Sequence, residues 1–325
     1  MSEKKLKVVI TDCNHPSVEI ERKILNEINA EVILLNSNKK DDIIKIAKNA
    51  DGIINQRVPI TRGIIKSLNK CKIIARYGVG VDNIDVKAAT EYGIIVANVP
   101  DYCVDEVSSH TIGLILACAR GIILFNRKVK EKRWGFSLAK PLFRIQGKTL
   151  GIFGLGRIGS AVAKKSIGFG LKIIACDPYV SKTNTKIKMV DFPQLLSESD
   201  FISINASLTD ETWHAFNENE LKAMKKTAYL INTARGAIVD EKILYNALRE
   251  RWIAGAGLDV LEKEPPDWDN PLLKLDNVIF TPHSAFYSEE SYIELKTRTA
   301  KAVLSVLNGK LPETIINPQV LNRKK

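Results

Sequence analysis

The sequence predicts an α/β chain built from two doubly wound parallel-sheet domains. Two observations lead there. Short β-branched runs alternate with longer amphipathic stretches along all 325 residues, the pattern of parallel strands joined by right-handed helical crossovers. The runs also number eleven, too many for one sheet in a chain of this length. Five fall at 8–10, 32–35, 52–54, 73–75 and 94–97, and six at 150–153, 173–175, 201–204, 229–231, 256–258 and 278–280. Between the two sets, 104–127 is nearly uninterrupted in helical character. Ile112 stands over Leu116 there and Ile115 over Ala119 at i,i+4 spacing, and this helix is expected to join the domains. After the last run, 288–307 is helical again. It is too small to be a domain, so it must pack on one of the two.

Composition narrows the class. Hydrophobic residues make up 45% and charged residues 26%, an ordinary globular mix, and the chain is long enough to bury a core without staples. The longest apolar stretch, 112–118, is closed by Arg120 and Gly121, well short of the ~20 residues a membrane helix needs. No membrane partner is expected. The charged start runs straight into the strand at Val8, so no signal peptide is expected either. The five cysteines (Cys13, Cys71, Cys103, Cys118, Cys176) are odd in number and form no Cys-x-x-Cys. They read as free thiols in a reducing, cytoplasmic setting.

The four histidines (His15, His110, His214, His283) show no zinc-ligand spacing, so no metal is expected. The formal charge of +11 admits a nucleic-acid partner, but the lysines are dispersed and the densest runs are short: Lys4-Lys5, Lys39-Lys40, Arg323 to Lys325. Without a helix-turn-helix this reads as a solvated surface whose field attracts small anions, and no nucleic acid is expected. His110, inside an apolar helix, reads as a satisfied core or interface histidine, and His15, in Asn14-His-Pro16, as a turn residue. Trp134 and Trp213 carry no assignable chemistry.

The run at 150–153 leads into Gly154-Leu-Gly156-Arg157-Ile158-Gly159, and a helix follows. Strand, glycine turn and helix in that order form the dinucleotide fingerprint. Gly154 permits the tight turn, Gly156 lets backbone approach a pyrophosphate, and Gly159 lets helix pack on strand. The phosphates would rest on the helix N-terminus. Asp177 ends the next strand, where the fingerprint places an acidic residue ~20 residues on to accept from the adenosine ribose hydroxyls. A carboxylate there repels a 2′-phosphate, which favours NAD over NADP.

Three ionisable residues follow successive strands of the second set: Arg235, Glu264 and His283. In an open α/β sheet, ligands bind outside the carboxyl ends of the strands. Hydride transfer from an alcohol carbon needs a group to move the hydroxyl proton, and imidazole suits that role. Glu264 would hold and tune His283. Arg235, fork-shaped and always charged, would bind the substrate's carboxylate or carbonyl.

With these residues in place, four ordered motifs resemble the D-isomer-specific 2-hydroxyacid dehydrogenases. They are Gly154 to Gly159 with Asp177, Asn232-Thr-Ala-Arg-Gly-Ala-Ile-Val-Asp-Glu241, Gly257-Leu-Asp-Val-Leu-Glu-Lys-Glu-Pro265 and Thr281-Pro-His283. The match extends to Arg76-Tyr-Gly-Val-Gly-Val-Asp-Asn-Ile-Asp85 and so covers nearly the whole chain. The resemblance implies Arg235, Glu264 and His283 as the catalytic set. It implies Arg157, Ile158, Thr233 and Asp259 beside the glycines and Asp177 at the NAD site. Arg76 with Gly78, Val79 and Gly80 would meet the substrate.

The resemblance also implies a Rossmann NAD domain (103–286) inserted into a flavodoxin-like substrate domain (1–102 and 287–325). It implies a homodimer through the NAD domain, with the apolar helix at 112–119 in the interface. Arg76 and Thr281-Pro-His-Ser-Ala-Phe286-Tyr-Ser-Glu289 resemble the branch that holds the C-terminal-binding-protein corepressors and their bacterial relatives, although the eukaryotic members carry Trp where Phe286 stands. An NAD(H)-sensing binding protein is therefore the rival to an enzyme. Phosphoglycerate dehydrogenases are the other comparison: their arginine after the third strand is replaced by Asn55, with Arg57 two residues on. The expected activity is interconversion of a 2-oxo acid and a D-2-hydroxy acid, with 3-phosphoglycerate as the alternative substrate.

Overall fold

The computed structural model describes residues 5–14, 17–181 and 187–322. His15, Lys4 and the basic run Arg323 to Lys325 lie outside them. The chain divides into two units, Met1–Tyr102 with Ser288–Lys325, and Cys103–Tyr287.

The first unit is a five-stranded parallel sheet. Its strands are β1 (Lys7–Ile10), β2 (Glu31–Leu34), β3 (Gly52–Asn55), β4 (Ile73–Arg76) and β5 (Ile95–Ala97), in the order β2-β1-β3-β4-β5, the flavodoxin-like arrangement. Helices α1 (Glu19–Leu25), α2 (Lys40–Ala47), α3 (Arg62–Lys66) and α4 (Val86–Glu91) make the crossovers. Central β3 is buried along its length, while edge strand β2 is exposed at both ends and half-buried between them. Buried Ile and Val from β1, β3, β4 and β5 meet Ile43, Ile64, Ile65 and Ala88 of the helices in one core.

The terminal helix, Glu289–Leu307, opens on a capping box at Ser288 and packs on α1, β3 and β4. It brings Lys296 into the interior, where Nζ lies 3.2 Å from Glu21 Oε1. Tyr77 donates its hydroxyl to the same oxygen at 2.6 Å, and all three residues are buried.

The second unit holds seven parallel strands: β6 (Thr149–Phe153), β7 (Lys172–Cys176), β8 (Lys188–Met189), β9 (Phe201–Ile204), β10 (Tyr229–Asn232), β11 (Gly255–Leu258) and β12 (Val278–Phe280). Their order is β12-β11-β10-β9-β6-β7-β8. Counted from β6 this is the Rossmann sequence with one strand added; all strands run parallel, and the order of strand addition reverses between β6 and β9. Its helices are α5 (Val104–Arg120), α6 (Ile122–Lys130), α7 (Arg157–Ile167), α8 (Phe192–Glu198), α9 (Glu218–Ala223) and α10 (Glu241–Arg249). One face of the sheet is covered by α5 and α7. On the other, α8 to α10 close over Phe153, Phe192 and Phe216, whose rings meet at 4.9 to 5.3 Å.

Three expectations change. The sheets split five and seven rather than five and six, because β8 is a two-residue edge strand with no apolar run to announce it. The helix expected over 104–127 is broken: Gly121 adopts a left-handed conformation at φ +60°, a usual way to end a helix, and α6 leaves at 61° to α5. No single helix among the described residues is long and apolar enough to cross a membrane. Finally, Ile112, Ile115 and Ala119 are buried against β6, α7 and β10 within their own unit, so these apolar residues, which suggested an interface, belong to the core of the unit.

Candidate active site

Strands β10, β11 and β12 are adjacent and parallel, so the segments leaving their carboxyl ends emerge along one edge of the sheet. Arg235, Glu264 and His283 sit on those three segments. His283 Nδ1 lies 2.5 Å from Glu264 Oε2, and both side chains are about a quarter exposed. The other Glu264 oxygen accepts the Leu261 N–H at 3.2 Å. The carboxylate is thus fixed between its own loop and the imidazole.

Arg235 is placed by Asn232, the last residue of β10 and fully buried. The Asn232 amide donates to the Arg235 carbonyl at 2.8 Å and accepts the Ala234 N–H at 3.0 Å, which folds the turn around one side chain. The Arg235 guanidinium in turn donates to the Ala234 carbonyl at 2.8 Å. The next residue, Gly236, lies directly on the loop that carries Glu264: a Cβ there would stand 2.0 Å from the Leu261 carbonyl carbon. Only glycine allows that approach.

Sequence reasoning missed a brace on the same loop. His214 Nε2 lies 3.1 Å from Glu262 Oε1, and the same oxygen accepts the Glu241 N–H at 2.9 Å. Glu241 returns the bond by accepting the Glu262 N–H at 3.0 Å. Nothing in the local sequence links 214, 241 and 262. Phe286 meets His283 edge-on at 6.4 Å.

The glycine turn fits a dinucleotide. Gly154, at φ +91°, faces the Ala206 backbone, and a Cβ on Gly159 would strike the Gly154 carbonyl oxygen at 2.1 Å. Gly156 has the opposite surroundings, with nothing within 4 Å of where a Cβ would stand. It precedes α7, and no side chain caps that helix, which leaves its first N–H groups to an anion. Arg157 and Ile158 open the same helix. Asp177 accepts the Leu155 N–H at 2.7 Å and the Tyr179 N–H at 2.9 Å, so the carboxylate is anchored beside the turn.

Two residues expected at the NAD site are engaged within the unit. The Thr233 hydroxyl lies 2.9 Å from that of Thr111. Asp259, only 2% exposed, turns its carboxylate onto the segment around His283, accepting the N–H groups of Ser284 and Ala285, each at 2.9 Å.

In the first unit, Arg76 closes β4 and Gly78 follows at φ +140°. The guanidinium folds back over the loop so closely that a Cβ on Gly78 would sit 1.5 Å from Nη1. Asn98 donates to the Val79 carbonyl at 2.6 Å, while among the described residues no group accepts the N–H of Val79 or Gly80. A second loop of this unit was not foreseen: Asp12 gathers the N–H groups of Gln56, Arg57 and Val58 at 3.1, 2.6 and 3.2 Å and so fixes the backbone at Arg57.

Comparison with known proteins places the chain in a family. Residues 112–285 match the family model described as "D-isomer specific 2-hydroxyacid dehydrogenase, NAD binding domain". The chain is 41% identical to a D-3-phosphoglycerate dehydrogenase of Methanocaldococcus jannaschii over 325 residues, spanning 98% of this chain and 61% of that protein. It is 40% identical to a glyoxylate reductase of Korarchaeum cryptofilum, with 87% of each covered. Among solved structures, a glyoxylate reductase from Paecilomyes thermophila superposes with a TM-score of 0.88 at 28% identity, covering 98% of this chain and all of that one (100%). The chain belongs to the D-isomer specific 2-hydroxyacid dehydrogenase family, and its second unit is that family's NAD-binding domain.

Proposed function

We propose that the chain is an NAD-dependent oxidoreductase that interconverts a 2-oxo acid and a D-2-hydroxy acid, with glyoxylate or a similarly small anion as substrate. The observation that carries this is the 2.5 Å contact of Glu264 with His283 Nδ1, on the same sheet edge as Arg235, in a unit with an open dinucleotide turn. When bound, the dinucleotide supplies or accepts the hydride at the substrate's second carbon. Glu264 occupies Nδ1, so Nε2 is the working nitrogen of His283. It gives a proton to the carbonyl oxygen in reduction and takes it back in oxidation. Arg235 binds the carboxylate or polarises the carbonyl.

The test is NADH oxidation against a panel of glyoxylate, hydroxypyruvate, pyruvate, phenylpyruvate, 2-ketoisocaproate and 3-phosphohydroxypyruvate. Turnover of one of them should fall by ~10²- to 10⁴-fold in His283→Ala, as for a lost general acid–base. Near-normal turnover in that variant would remove His283 from the role. The 41% identical phosphoglycerate dehydrogenase supports 3-phosphoglycerate as the second substrate reading, with Arg57 as the cation to replace. NADH binding without any turnover would instead support an NAD(H)-sensing protein.

We further propose a homodimer in a reducing cytoplasm. None of the five cysteines is in a disulfide among the described residues, and burial pushes the Cys71 and Cys118 thiols up to about 12. The apolar surface available for a second copy lies on α6 and the turn after it, where Ile122, Ile123, Val129, Trp134, Phe136 and Phe143 are exposed.

A further inference from the structure

His110, which the sequence assigns to packing, leads into the site. It lies on α5 with its side chain 26% exposed. The Thr281 hydroxyl donates to Asp259 Oδ1 at 2.5 Å. With that hydrogen committed, the hydroxyl's lone pairs face His110 Nε2 at 2.9 Å, which makes Nε2 the donor. The chain continues from Asp259, whose carboxylate takes the Ser284 and Ala285 N–H groups. Its main-chain carbonyl takes the N–H of His283 at 2.7 Å. His283 itself is held at φ +52°, a left-handed conformation that non-glycine residues seldom adopt. Every bond in this series ends on the turn that presents the imidazole.

We infer that His110 is a positioning residue for the reaction: through Thr281 and Asp259 it fixes the backbone turn that aims His283. The inference rests on the acid–base reading of His283 given above. It differs from a packing role in one respect. Packing is satisfied by shape, whereas this chain needs a hydrogen-bond donor at the position of Nε2. The neighbouring residue gives α5 a parallel hold. Thr111 donates to the Val107 carbonyl at 2.7 Å and so accepts from Thr233, which ties the same helix to the end of β10.

The experiment compares His110→Ala, His110→Gln, Thr281→Val and the double variant His110→Ala/Thr281→Val. It measures kcat and KM for the 2-oxo acid that the wild type reduces, NADH affinity by fluorescence, and thermal unfolding. His110→Ala should lower kcat by roughly 10- to 100-fold, the cost of a misaimed catalytic group, with KM and NADH affinity little changed. His110→Gln, which restores a donor near the same point, should recover most of the loss. The double variant should be no worse than the more impaired single, because both cut one series.

An unchanged kcat in His110→Ala, no recovery in His110→Gln, or additive losses would overturn the inference. If His110→Ala does not fold, Thr281→Val, close to isosteric, must show the kcat loss alone, and wild-type turnover there counts against the inference. His283→Ala reads the underlying assumption separately. Should it remain active, the acid–base reading fails, whereas an inactive His283→Ala beside a fully active His110→Ala overturns only the positioning role.

Discussion

At the scale of single residues, the site spends local strain to gain aim. His283 at φ +52° is in a region that costs roughly 1–3 kcal/mol for a non-glycine residue. The Ser284 and Ala285 N–H groups on the Asp259 carboxylate, with the His283 N–H on its main-chain carbonyl, offset that cost, since a hydrogen bond to a charged acceptor contributes about 1.5–3 kcal/mol and one to a neutral carbonyl about 0.5–1.5 kcal/mol. Asp177 is a second residue whose aim is fixed by backbone, here through Leu155 and Tyr179. Asp177→Ala should weaken NADH binding by about 10-fold or more, the loss of one charge-assisted bond, while NADPH binding holds or improves. Titration of both nucleotides by fluorescence checks this, and an unchanged NADPH/NADH preference would take Asp177 out of the ribose site.

At the scale of elements, the starts of β6 and β9 are joined by Asp200. It accepts the Thr149 N–H at 2.9 Å and lies 3.3 and 3.4 Å from the Lys148 and Lys225 ammonium groups. Burial pulls the Asp200 carboxyl upward, but the Thr149 N–H and the two lysines outweigh it and hold it below its ordinary value. A depressed carboxyl contributes stability above its unfolded value of about 3.9 and loses it as pH falls through the folded value. Asp200→Asn should therefore destabilise the protein by ~1–2 kcal/mol at neutral pH. The gap to wild type should close below about pH 4. Chemical denaturation at several pH values tests it, and a gap that persists in acid would mean that the loss is one of shape.

The strands were legible in the sequence to within about a residue because most are short, apolar runs rich in Ile and Val, as in Ile73-Ile-Ala75. Two features were not. Lys188 and Met189 pair only at an edge and need no apolar pattern, and Gly121 reads as an ordinary helix residue until its backbone is seen to be left-handed. The site divides in the same way. Arg235, Glu264 and His283 were legible because strand ends and reactive residue types coincide. The braces at His110 and His214 reach 171 and 48 residues along the chain, and no local pattern encodes such distances.

At the scale of the whole molecule, each unit has its own core, and three exposed aromatic residues, Trp134, Phe136 and Phe143, follow α6 closely in sequence. Trp134 is 90% and Phe136 78% exposed, values that make them the natural contacts of a second copy. Sedimentation of the wild type should give a dimer, and Trp134→Arg with Phe136→Glu should give a folded monomer. A wild-type monomer at micromolar concentration would remove the proposed assembly. The first unit, for its part, is stitched from both ends of the sequence, and this sets a schedule for synthesis on the ribosome. The nucleotide-binding unit is translated in one piece and has everything it needs before the other does. The strands made earliest must wait, with Glu21 and the face around Gly52 uncovered, until the helix bearing Lys296 and Val303 has emerged. The middle of the chain is thus poised to mature first and the beginning last, and a polypeptide interrupted before residue 289 would carry a finished cofactor fold beside an unsealed sheet.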